Sequence, residues 1–192
     1  IRQQGSDIRI FEGASLLAMT GLSNELRDIR GNSCQLKRTI ILVENRFWIL
    51  LENIVGSGLH EIVHNWQFSP HVDKLELIER NIFRATAKLK AFSIQIVDPF
   101  LDAEMDLKIG SLAPPRGWVS VNGADRPAYS VKFHTATRLP CRFCWLIHDT
   151  RKSNDKPHFA ELRLSSPQIA ELTVYFESDL IKRFSMPAEF CI

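Results

Sequence analysis

Short apolar, β-branched runs, cut apart by turn-forming residues, recur along most of this chain and restrict it to folds built from many short strands. Thr39-Ile-Ile-Leu-Val43 is followed by the polar turn Glu44-Asn-Arg46. Phe47-Trp-Ile-Leu-Leu51 is its return strand. Gly56-Ser-Gly58 marks a second turn. Further strands are expected at Leu75–Glu79, Ile82–Leu89, Phe92–Val97, Tyr129–Ala136, Cys141–Ile147, Phe159–Leu164 and Glu171–Phe176. Asp98-Pro99, Pro114-Pro115, Asn122-Gly123, Leu139-Pro140 and Ser165-Ser-Pro167 separate many of them. Ala85–Ala91 has helical propensity, but Phe83, Ala85, Ala87 and Leu89 alternate with polar neighbours and read as strand. Leu16–Leu26 fits neither period cleanly. The expected fold is all-β with little helix: a large antiparallel β-sandwich of two stacked sheets, resembling a supersandwich, with residues 1–192 as one domain. Arg151–Pro157 reads as a polar loop between two strands.

The 192 residues are 45% hydrophobic and 24% charged, enough apolar material for a full core. A net charge of +2 without a basic stripe argues against nucleic acid as a partner. No apolar stretch is long enough for a membrane span. Cys141-Arg-Phe-Cys144 has the C-x-x-C form, but on a strand residues three apart face opposite ways. The two cysteines are therefore expected to fill space rather than bind metal or exchange disulfides.

His60-Glu-Ile-Val-His64 spells the H-E-x-x-H of zinc peptidases, where a helix sets two imidazoles around one ion and the Glu activates water. Strand alternation fits the same residues. It puts His60, Ile62, His64, Trp66 and Phe68 on one face and Glu61 on the other, out of reach of a metal between the histidines. The segment is short, and no third-ligand pattern follows Pro70. The zinc peptidase is the disfavoured alternative, and no metal ligand or cofactor is expected.

Lys37–Pro70 resembles the C-terminal domain of heparinase II/III-like polysaccharide lyases. In that family a basic residue opens a strand, an aromatic return strand ends in D-x-h-x-G-x-G-x-H, and the next strand ends near a Pro. Here Glu52 and Asn53 stand where an Asp is common. A second block is similar to the family's P-x-G-W-x-S, P-A and L-P sequence: Gly110 to Ser120, Pro127-Ala-Tyr129 and Leu139-Pro-Cys-Arg-Phe143. The resemblance runs from Leu36 to Ile147.

The resemblance implies a lyase that cleaves acidic polysaccharide by β-elimination, with most catalytic groups on an N-terminal α-toroid. The sequence opens on Ile1, and no toroid or early His- and Asp-bearing strand motif stands before the sandwich. The chain is therefore expected to be the C-terminal part of a longer lyase, inactive in isolation. The expected partners are the helical domain and, through the parent protein, acidic polysaccharide. The family resemblance favours a periplasmic or secreted location, with a cytoplasmic one as the alternative. No catalytic residue is carried over. Arg116 and Trp118 are the candidate sugar contacts, because indole faces stack on sugar rings and guanidinium pairs with a uronate. A Gly-allowed turn before a core Trp is the competing reading. A non-catalytic carbohydrate-binding or structural module is the alternative function. Trp48, Trp66 and Trp145 are expected in the core, and Arg38 either faces the missing domain or forms a surface ion pair.

Overall fold

The computed structural model describes residues 8–23, 26–27, 33–79, 82–87, 92–97, 104–149 and 155–190. In chain order its strands are β1 (Ile8–Glu12), β2 (Leu16–Leu22), β3 (Leu26–Arg27), β4 (Ser33–Val43), β5 (Phe47–Gly56), β6 (Leu59–Gln67), β7 (Lys74–Glu79), β8 (Ile82–Ala87), β9 (Phe92–Val97) and β10 (Glu104–Ile109). There follow β11 (Ser111–Leu112), β12 (Pro115–Arg116), β13 (Trp118–Val121), β14 (Ala124–Pro127), β15 (Tyr129–Arg138), β16 (Cys141–Asp149), β17 (Pro157–Leu164), β18 (Ile169–Phe176) and β19 (Ile181–Pro187). Helix among the described residues is confined to one 3-10 turn, Ala188–Phe190. The all-β expectation holds. The doubtful stretch after Leu16 is strand β2, and part of what was expected to be one strand beyond Ala87 lies outside the described residues.

The central sheet runs β1-β2-β4-β5-β16-β9-β8-β7, with β3 paired to β4. Every pairing recorded for it is antiparallel. The β4–β5 hairpin is set by Glu44 and Asn45, both at positive φ, which follows the natural twist of paired strands. Two smaller sheets, β17-β18-β19 and β10-β15-β6, cover its two faces. Alternation along β5 and β16 makes this possible. Ile49, Leu51 and Leu146 point into one core with Leu172, Val174 and Phe176. Leu50, Phe143 and Trp145 point into the other with Val131, Phe133 and Trp66. The arrangement is thus three layers, where two were expected. A sheet buried on both faces reads as a nearly continuous apolar run, and β5 and β16 read that way.

The two cores differ in kind. The β17–β19 side is mainly aliphatic. The β6–β15 side is aromatic, with Trp145 edge-on to Trp66 at 5.3 Å and Phe133 against Phe83 at 5.6 Å.

Candidate functional site

β6 pairs with β15 in an unbroken antiparallel register, Phe133 opposite His64 and Thr137 opposite His60. The H-E-x-x-H segment is therefore strand. His60 and His64 both lie on the inward side, about 13 Å apart along the strand by its rise per residue. Glu61 is on the outer side, 3.7 Å from His134. Two ligands of one zinc ion cannot be that far apart, so the peptidase geometry is absent. A ring nitrogen of His60 lies 2.8 Å from the Ser57 carbonyl oxygen, closing the β5–β6 turn where Gly58 takes φ +90°. Among the described residues no group of three His, Cys, Asp or Glu side chains is placed to hold a metal.

What His64 meets instead is a buried carboxylate. Glu52, on β5, is 2% exposed. Its Oε1 accepts hydrogen bonds from Arg38 Nε at 2.9 Å and Nη2 at 2.5 Å. Its Oε2 lies 2.9 Å from His64 Nδ1 and accepts a bond from Trp145 Nε1 at 3.3 Å. The sheet registers build this cluster: Arg38 is directly opposite Glu52, and Glu52 directly opposite Phe143. Burial alone would raise the Glu52 pKa. The interaction with His64, and after it the Arg38 guanidinium, outweigh that and hold the carboxyl below its ordinary range. Contact with Oε2 fixes the His64 proton on Nδ1. The ring then lies against Phe143 and Trp145, at 4.5 and 5.1 Å, with Nε2 buried and unpartnered among the described residues. Such a carboxylate sets the tautomer and angle of an imidazole.

Arg38 is half in water, its side chain 52% exposed. It stands at a step in the molecule. On one side the β6–β15–β10 sheet covers the central sheet. On the other side the same face of β1, β2 and β4 is bare. The register places three rows of residues there: Leu17, Leu42 and Trp48; Ile10, Met19 and Ile40; and Ile8, Gly21 and Arg38. Ile10 is 69% exposed and Trp48 43% exposed. Trp48 is thus not a core residue as expected, since its strand is covered on one face only at that point. Leu17, Ile10, Met19 and Trp48, each more than 40% exposed, make this an exposed apolar patch on the sheet.

The candidate sugar contacts lie elsewhere, on the insertion between β10 and β15. Gly117, at φ +76°, lets the chain turn where a side chain would strike the Ala128 carbonyl oxygen. Gly110 and Ala128 both donate backbone hydrogen bonds to the Gly117 carbonyl. Arg116 is taken up internally: Nη2 donates to the Asp106 carbonyl at 3.0 Å and pairs with its carboxylate at 2.9 Å. Trp118 donates from Nε1 to the Ser111 carbonyl at 2.9 Å and is 37% exposed. Cys141 and Cys144 face opposite cores, as strand geometry requires, and burial pushes their thiols up to about 11 and about 12. The sequence drew attention to His60, Glu61 and Arg38, but the partner of Arg38 is the buried Glu52 rather than a surface carboxylate, and Glu52 had no separate signal beyond its place in the first family-like block.

The described strands form an all-β, three-layer sandwich, and solved structures are similar to it in fold. A heparinase III matches with a TM-score of 0.67 at 13% identity, over 95% of this chain and 27% of that chain. A second heparinase III structure gives 0.60 at 14%, with the same shares of the two chains. A heparan sulfate lyase from Pedobacter heparinus gives 0.66 at 13%, over 97% of this chain and 28% of that one. This chain therefore has the fold of heparinase III over about a quarter of the length of those proteins. No family model matches the sequence, and no curated protein matches it.

Proposed function

We propose that this chain is the sandwich domain of a heparinase-like lyase acting on acidic polysaccharide by β-elimination, and that a helical domain of the same polypeptide covers the bare face of β1, β2 and β4. The exposed apolar side chains Ile10, Leu17, Met19 and Trp48 carry this reading. The solved proteins of this fold are more than three times as long as the part shared with this chain, so a further domain has somewhere to belong. In this role the sandwich does not eliminate on its own. It supports one wall of a cleft, and Arg38 and His64 stand at the margin where the two domains would meet, the Glu52 carboxylate holding both in place. A developing enolate needs electrostatic help of that kind.

The reading is tested by expressing this chain with the polypeptide encoded directly upstream of it. A stable complex that releases unsaturated uronate products from heparan sulfate, with neither half active alone, is the expected result. An upstream region without a helical domain, or a complex inert toward every acidic polysaccharide, overturns it.

The Arg116–Trp118 turn remains a proposed sugar contact, now resting on the 37% exposure of Trp118 because Arg116 is already paired. Trp118→Ala is expected to weaken polysaccharide retention by the assembled protein; unchanged retention rejects the contact.

A further inference from the structure

A cavity of about 320 Å³ opens between the ends of β5 and β16 and the flank of β17. It lies mostly on the aliphatic side of the central sheet, with Phe143 and Phe159 also on its lining. Leu51, Cys144, Ala160 and Leu162 make it apolar, and all four belong to or pack against that core. Three charged side chains also line it: Arg142, Glu161 and Arg163. Glu161 is already committed, paired with Arg163 at 2.6 Å and accepting the Tyr175 hydroxyl hydrogen bond at 2.9 Å. Arg142 has no ion pair among the described residues. The lining therefore carries one unbalanced positive charge over an apolar floor. The one nucleophile there, the Cys144 thiol, is pushed up to about 12 by burial, so covalent chemistry is not available to the site.

We infer that this cavity binds a monoanionic amphiphile, a straight-chain carboxylate of about eight to ten carbons, with its chain on the apolar floor and its carboxylate on Arg142. The volume suits such a chain, and the lining is too apolar and too poor in free hydrogen-bonding groups for a sugar. The site is separate from the bare face, and the inference does not depend on the lyase reading.

The test is calorimetric titration of this chain near neutral pH with octanoate, octanol and glucuronate. Octanoate is expected to saturate at one molecule per chain, with octanol and glucuronate at least about tenfold weaker, since each lacks one of the two features the site recognises. Arg142→Glu is expected to weaken octanoate at least about tenfold without changing thermal unfolding. Met19→Glu, on the bare face, is expected to leave binding unchanged. The inference is overturned if octanoate does not saturate, if octanol or glucuronate binds as tightly, or if Arg142→Glu has no effect. Loss of binding in Met19→Glu would overturn it too, by moving the ligand to the other surface.

Discussion

The two halves of one face of the central sheet have similar composition and opposite fates. Over β5, β16 and β8 the face is roofed by β6 and β15, and Phe83, Phe143 and Trp145 are buried to within one percent of full burial. Over β1, β2, β4 and the start of β5 the same face carries Ile10, Met19 and Trp48 in continuous register with the roofed rows, yet they are 69%, 42% and 43% exposed. Nothing in the β-strand pattern separates the two halves. The difference lies in what covers them, and the Arg38–Glu52–His64 cluster sits on the line between. A sandwich that needed only to fold would have no reason to leave an apolar sheet face bare beside a buried ion pair.

The contrast can be broken most forcefully at Glu52. Removing the carboxylate as Glu52→Ala leaves Arg38, His64 and Trp145 Nε1 without their shared acceptor, and a loss of about 3–5 kcal/mol in urea unfolding is expected. A loss under about 1 kcal/mol would mean that the cluster does not hold the step together. Next comes the dry side. Leu172→Ala, in the core opposite, is expected to cost about 2–5 kcal/mol in the same measurement.

Acid should act at a different place. His148 is 4% exposed, and burial, followed by the Lys156 charge, lowers its pKa to about 4 from the ordinary 6.5. The folded state thus holds it neutral between those values while the unfolded chain takes up a proton. Stability is complete above about 6.5, falls as the pH drops from there, and levels near 4, a loss of about 2–4 kcal/mol. His148→Gln should flatten that part of the profile of unfolding free energy against pH; an unaltered slope would clear His148. The Glu52 contribution is lost only at lower pH, as the solution passes through a carboxyl pKa that already lies below its ordinary 4.5. The smallest expected effect sharpens the comparison. Met19→Glu on the bare half should change stability by less than about 0.5 kcal/mol, although Met19 is as apolar as its roofed neighbours.

Much of the architecture was legible from alternation alone. The β4–β5 hairpin followed from its apolar runs and polar turn. The placement of His60, His64 and Glu61 followed from a period of two, and so did the opposed faces of Cys141 and Cys144. The third layer was not legible, because a strand buried on both faces and one buried on a single face give similar short apolar runs. Trp48 was misjudged for the same reason: its neighbours are core, and only tertiary coverage tells which side of β5 is roofed. The Glu52 cluster joins residues from β4, β5, β6 and β16, a pairing that exists only once the registers are set. Arg116 looked available for a carboxylate, but Asp106, ten residues earlier, had already claimed it.

Amide hydrogen exchange on this chain, alone and joined to the polypeptide encoded upstream of it, asks most directly whether the bare half is a seat for a second domain. Exchange in β1, β2 and the Met19-facing part of β4 should slow at least about tenfold on joining, with β17–β19 unchanged. Equal exchange in the two states along β1 and β2, or protection gained only on another face, would contradict the account.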